Sequence, residues 1–438
     1  MNYKINERGF YLKINFLLIY INMNQKSSLL TKNLNHKKLI VKGQGIFIFE
    51  NTDNTQFCGF LLLNKEEDDG IKVVFTQSSV KVNRLKILEP LYDENNKEGL
   101  TNNSGAYYWF SLDSQNQTLY AGIGETRLDT VIYKYQYQFT HERDDERKIN
   151  KNFLESITHI QIIKESIGIN PLKLLRDPIT LKIPLLVKNT DSLTMDDIAQ
   201  GDFLPKSNLS TMGQQLYDCV SGKNFVLDDK SFPEFSKAIE YSIANENGWC
   251  YKKLQSKSTE FNKDKPNILE TYLRITVGQN NGESPGIPYV LEIWPVGHYS
   301  PIHSHANANA VIRVLHGSIN VKLFPYLSSD VDKVPNFGVK DFNKDDVTWI
   351  SPTLNQIHQL KNLETNKDTC ITIQCYMYDN QNIKHYDYFD YIDGDNKIQQ
   401  YEPDSDMDFV DFKKKMKEEW NNKIRKSICE IILYMIFC

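Results

Sequence analysis

A chain of 438 residues is longer than one ordinary core encloses, so two domains are expected. Hydrophobic content of 40% and aromatic content of 12% supply ample packing material, and a formal charge of -5 excludes the basic footprint of a nucleic-acid-binding protein. The seven cysteines are few, odd in number and scattered, which excludes a disulfide framework and points to reduced thiols in a cytoplasmic protein.

In chain order, residues 1–37 read as an N-terminal extension. Lys4, Arg8 and Lys13 surround the short apolar run 16–21, no small-residue cleavage site follows, and Met23 offers an alternative start, so no secretory signal is expected. Residues 38–186 read as a separate β-rich, sandwich-like domain. The runs 39–41, 45–49, 57–63, 71–75 and 80–82 are short, β-branched or aromatic, and separated by Asn, Asp and Gly. Residues 107–112 and 118–124 flank the polar stretch 113–117 and predict a hairpin. Its rings are read as sandwich core, with a groove for an unknown ligand as the alternative. The charged stretch 140–152 is expected to be a surface loop.

Residues 187–426 change character. Thr194 with Asp197, and Ser231 with Glu234, both have the spacing of a capping box, and Phe235, Ala238, Ile239 and Ile243 follow at helical spacing. Alternation returns in 273–277, 289–294, 310–315, 318–324 and 370–378, where short strands with Gly, Pro and Asn turns suggest a barrel or jelly roll. Phe409, Phe412, Met416, Trp420 and Ile424 recur every three or four residues, as in an amphipathic helix packed on that barrel. The apolar tail 427–438 is about half of the ~20 residues that a bilayer crossing needs, so no membrane partner is expected.

The barrel segment carries the chemistry. In an extended chain, side chains two apart share a face, so His303 and His305 present two imidazoles to one point. His358 is the best downstream third ligand. His316, just before Gly317, reads as a loop residue.

These residues resemble the cupin superfamily. Gly297, His303, His305 and Gly317 occupy the spacing of its first motif, and His358 with Asn362 resembles its second. Within the cupins, Tyr272-Leu273-Arg274, Trp294, Gly297-His298 and Ile302-His303-Ser304-His305 resemble the cysteine dioxygenase type of thiol dioxygenase. The resemblance covers roughly 230–400. It implies a double-stranded β-helix and an Fe(2+) site at His303, His305 and His358. It also implies catalytic roles for Arg274 and Tyr376, substrate contacts from Arg274, Trp294 and His298, and a small thiol and O2 as substrates. Two departures stand out. Ala310 occupies the place of a Glu ligand in general cupins and of a crosslinked Cys in mammalian-type dioxygenases. Thr372, Gln374 and Tyr376 fall where the family has a Ser-His-Tyr relay.

Three neutral imidazoles leave Fe(II) with its full double positive charge, so an anionic thiolate is welcome. Arg274, with its planar fork, suits a substrate carboxylate, although Glu292 is an alternative partner inside the barrel. Tyr378 competes with Tyr376 for the role of phenol, and His298 is also a candidate for supporting the metal ligands. Three readings of function stay open: an iron-dependent thiol dioxygenase, another metal-cupin enzyme such as an isomerase or a different oxygenase, and a non-catalytic cupin scaffold beside a ligand-binding β domain.

Overall fold

The computed structural model describes residues 27–29, 36–51, 57–87, 90–93, 99–100, 106–137, 144–163, 166, 169–278, 288–306, 308–330, 334–378 and 388–437. The expectations for residues 1–22 lie outside them. The described residues form two compact units that divide between Ile183 and Pro184.

The first unit is a sandwich of two antiparallel six-stranded sheets. The runs read as strands pair as Gln44–Asn51, Phe57–Asn64, Gly70–Thr76 and Val80–Arg84, while the first strand ahead of them is His36–Lys38 and not 39–41. The predicted hairpin is Tyr107–Asp113 with Thr118–Ile123, closed by the pair Asp113↔Thr118. Its turn follows from Asp113, whose carboxylate accepts the amides of Gln115 at 2.9 Å and Asn116 at 3.0 Å. Side chains alternate across a sheet, so every second ring of these strands meets the opposite sheet. Phe47 packs edge-on against Phe60 at 4.9 Å, Phe49 against Phe75 at 5.2 Å, and Phe110 against Phe60 at 5.7 Å. Tyr108, Trp109 and Phe110 are buried, so these rings are core and not a groove. The loop expected at 140–152 is a helix instead, Asp144–Ser156. Its Glu, Arg and Lys are good helix formers, and it anchors on Phe153 and Leu154, which are buried.

The second unit opens with short helices. Thr194 caps Met195–Gln200 as read: its hydroxyl accepts the Asp197 amide and the Asp197 carboxylate accepts the Thr194 amide. Ser231 does not cap the next long helix. Its hydroxyl bonds Asp229, the helix Phe235–Ala244 begins four residues later, and Asp228 accepts the amide and hydroxyl of Ser236. Spacing alone could not distinguish an Asp ahead of the turn from a Ser inside it.

Behind these helices lies an eight-stranded sheet whose central order is Val347–Ile350, Asn309–His316, Cys370–Met377, Tyr289–Trp294, Leu273–Val277. Facing it are Gly338–Asn343, Ser318–Leu323 and His358–Lys361. The turn that sends the chain from one sheet to the other is Gly317, at φ +69°, where a Cβ would meet the Thr369 carbonyl at 2.6 Å. The C-terminal helix Phe409–Phe437 packs Phe412 against Phe235 and Trp249 and Met416 against Cys250, and both Phe412 and Met416 are fully buried. Ile424, expected on that face, is 39% exposed. Among the described residues no helix is long and apolar enough to cross a membrane.

Candidate metal centre

The third histidine reaches the first two through the backbone. His303 and His358 exchange amide-to-carbonyl bonds of 3.0 and 3.1 Å, which draws the loop carrying His303 and His305 onto the strand His358–Lys361. On its other side the same loop bonds Phe389–Ile392, with Ser304 donating to Asp390 at 2.8 Å and Ile392 donating to Ile302 at 2.9 Å. The motif glycine and asparagine shape the entry: the Gly297 amide donates to Asn362 at 2.8 Å, and the Asn362 side chain donates to the Trp294 carbonyl at 2.8 Å.

The three imidazoles converge, with their ligand nitrogens all within 4.8 Å of one another. Nδ1 of His303 donates to the Pro301 carbonyl at 3.0 Å, and Nδ1 of His358 donates to Asn355 at 3.2 Å. Both rings therefore turn an unprotonated Nε2 to the common point. Nε2 of His305 lies 3.1 Å from Nε2 of His358, while Nδ1 of His305 is buried with no hydrogen-bond partner. No single proton placement satisfies His305 within the protein. A proton on Nε2 orphans the Nδ1 lone pair, and a proton on Nδ1 orphans that N–H and sets two lone pairs against each other. A cation on the Nε2 side removes the repulsion, and two nitrogens bound at about 2.1 Å at right angles stand about 3 Å apart. The donor set thus fits a metal ion through His303, His305 and His358.

Burial pushes all three imidazoles down, His303 to about 4, His358 to about 3 and His305 in the same direction, reinforced by their neighbours. They are neutral at pH 7, the state a ligand needs. The folded values lie below the ordinary 6.5, so the unfolded chain binds more protons as pH falls from there. The stabilisation is complete above about pH 6.5 and disappears towards pH 3–4. Metal-free protein is expected to lose on the order of several kcal/mol across that window in denaturant titrations, and a variant with Gln at all three positions is expected to lose much less. Equal pH profiles for the two would place the acid sensitivity elsewhere.

The histidines stand at one side of a cavity between the two sheets. Arg274, Glu292, Trp294, Gln374 and Tyr376 line it too. Of the two partners left open for Arg274, the structure supplies Glu292: Nη1 donates to Oε1 at 3.0 Å, between groups 3% and 7% exposed. The pairing follows from register, since Arg274↔Glu292 are opposite on adjacent strands. Gln374 donates to the other Glu292 oxygen and accepts the Tyr376 hydroxyl, so Arg274, Glu292, Gln374 and Tyr376 form one buried polar chain. Burial raises the Glu292 carboxyl against the lowering effects of Arg274 and Gln374.

Of the competing phenols, Tyr376 lines the cavity and its ring lies 6.0 Å from that of His305, whereas Tyr378 is not among the lining residues. Ala310 pairs in register with Tyr376, so the residue opposite the phenol has nothing to crosslink or ligate with. Trp294 stacks on Tyr272 at 4.2 Å. His298, expected at the substrate, lies outside the lining residues: its Nδ1 bonds the Thr271 carbonyl at 2.8 Å, and it fixes the chain ahead of Leu273–Val277. His316 ends its strand 3.4 Å from Glu240. Phe389, 4.6 Å from the His305 ring, was not read as a site residue, and its only trace in the sequence is the aromatic run of which it is part.

An antiparallel jelly roll of one large and one small sheet, with two histidines on the entering loop and a third on the facing strand, defines the architecture. The C-terminal unit has a cupin-like β-barrel fold. No protein-family model matches the chain. Among solved structures it is similar to the cupin domain of Schizosaccharomyces pombe Cnp3, at 15% identity over 25% of this chain and 65% of that one, with a TM-score of 0.19. A cupin 2 domain-containing protein from Halorhodospira halophila matches at 19% identity over 31% and 73%, also with 0.19. The galectin LEC-6 of Caenorhabditis elegans matches at 8% identity over 34% and 94%, with 0.24. This chain spans just under two thirds of the first of them. The architecture therefore rests on the strand order and register above.

Proposed function

We propose that the cupin barrel is a metal-dependent thiol dioxygenase, converting R–SH and O2 into the sulfinic acid R–SO2H. Both oxygen atoms join sulfur, which gives up the four electrons that O2 takes, so no other reductant enters. The observation that carries the reading is the donor set: three neutral imidazoles converge without a carboxylate among them, beside a cavity that also holds Arg274 and Tyr376. Bound Fe(2+) supplies O2 chemistry at such a site and deprotonates a thiol brought to it.

The chain's own residues then bind and orient. His303 and His358 are held in their tautomers by the Pro301 and Asn355 carbonyls, so the lone pairs stay aimed without reorganisation. Tyr376 holds its proton on Gln374 at the edge of the cavity, where a bound substrate competes for it. The apolar walls exclude water from the reacting sulfur.

Oxygen-electrode assays with metal-replete protein and alkyl, aryl, amino and carboxylate thiols test this reading. Thiol-dependent O2 uptake with one sulfinate formed per O2 is expected, and Tyr376→Phe is expected to slow it about tenfold or more at unchanged metal content. If metal-replete protein consumes no O2 with any thiol, the reading falls. The commitment of Arg274 to Glu292 favours a second reading, another metal-cupin reaction on a substrate without sulfur, and that result would move the weight there.

A further inference from the structure

We propose that the thiol oxidised in this cavity bears an apolar substituent and no carboxylate, because Glu292 already occupies the cation that would bind one. The inference rests on the thiol-oxidising reading for the sulfur and on the cavity's own lining for the rest. Arg274 is the one Lys or Arg among the lining residues, whereas Glu292 and Asp346 bring two carboxylates. Arg274 meets Glu292 at 3.0 Å on groups nearly closed to solvent. A substrate carboxylate entering there finds a matched ion pair and a further anion, and it would be desolvated without a partner.

The rest of the wall points the same way. Beyond the polar chain the cavity is lined by Val314, Ile319, Val321, Leu323, Phe342 and Leu360, all buried and contributed by both sheets. An alkyl or aryl group set against this wall gains the transfer free energy of each methylene it removes from water.

Matched ligands test this in the full-length protein by anaerobic titration calorimetry, with metal removed and with Fe(2+) restored. The pairs are 1-hexanethiol against 6-mercaptohexanoate, and 1-hexanol against hexanoate. The uncharged member of each pair is expected to bind about tenfold or more tightly, because the other must bury an unpaired carboxylate. Glu292→Gln, which unmasks Arg274, is expected to shrink that ratio by about tenfold, and Arg274→Gln with Glu292→Gln together to restore it. Equal or tighter binding of the carboxylates by the wild type overturns the proposal, as does failure of every uncharged ligand to bind or an unchanged ratio in a folded Glu292→Gln protein. Should Glu292→Gln not fold, the wild-type ratios decide. The thiol reading fails on a separate signal: restoring Fe(2+) would then tighten 1-hexanethiol no more than 1-hexanol, while the alcohol and acid pair still reports on the cavity.

Discussion

Replacing His303 with Ala is expected to remove the metal, taking occupancy from about one ion per chain to none after dialysis. The site has three nitrogen donors, and the His303 ring stands 4.9 Å from that of His305 and 4.7 Å from that of His358. Two remaining imidazoles form an open chelate that water completes. Loss of a residue that only orients a ligand already costs about ten- to a hundredfold in affinity, and loss of the ligand itself costs more. The fold should persist, because the pairing that positions the loop runs through the backbone of His303 and His358, which the substitution leaves in place. Elemental analysis of both proteins, with thermal unfolding as a control, decides it. A folded variant that keeps its full metal content would show that the ion sits elsewhere, and the cluster of Glu240, His316 and Asp368 is the next group to examine.

Local pattern carried far in this chain because both units are built from short strands closed by nearby turns. Alternation located five strands of the barrel to within a residue or two but not Gly338–Asn343, Val347–Ile350 or His358–Lys361, and His303, His305 and His358, singled out from the sequence, do come together. What escaped was decided by contacts distant in sequence. Glu292 was open as a partner of Arg274, but the chain that continues from it through Gln374 to Tyr376 depends on the register of three strands. Phe389 comes from a hairpin that covers the histidine loop, which nothing in its own sequence announces. His298 carried the right motif position, yet a carbonyl at Thr271 took its nitrogen. The helix Asp144–Ser156 was hidden for a different reason: a run of charges reads equally as solvated loop and as helix surface until Phe153 and Leu154 find a core.

Replacing Arg274 alone with Leu is expected to destabilise the second unit by about 3–5 kcal/mol, whereas replacing Arg274 and Glu292 together with Leu is expected to cost far less. The single change leaves the Glu292 carboxylate, 7% exposed, with only Gln374 as a polar partner in an otherwise apolar barrel. Desolvation of that charge is the large term. Removing both charges eliminates it and adds apolar surface on the cavity face beside Tyr272 and Trp294, which are buried. The Asp406 contact does not confound the comparison, because it is made by the backbone amide of Arg274 at 2.7 Å and survives either change. The single variant should also show a pH signature. Burial raises the Glu292 carboxyl above its ordinary 4.5, and without Arg274 the largest opposing effect is gone. A carboxyl whose folded value is raised binds its proton more tightly in the folded state, so stability falls as pH rises above the unfolded value. Measured against the double variant at the same pH, so that the contribution of the three histidines cancels, the Arg274→Leu protein is therefore expected to be relatively more stable at pH 5 than at pH 8. Denaturant titrations of the wild type and three variants at both pH values close the cycle. Additive single effects with no pH dependence in Arg274→Leu relative to the double variant would mean that the two side chains do not share one buried ion pair, and the charge argument for an apolar substrate would lose its footing with it.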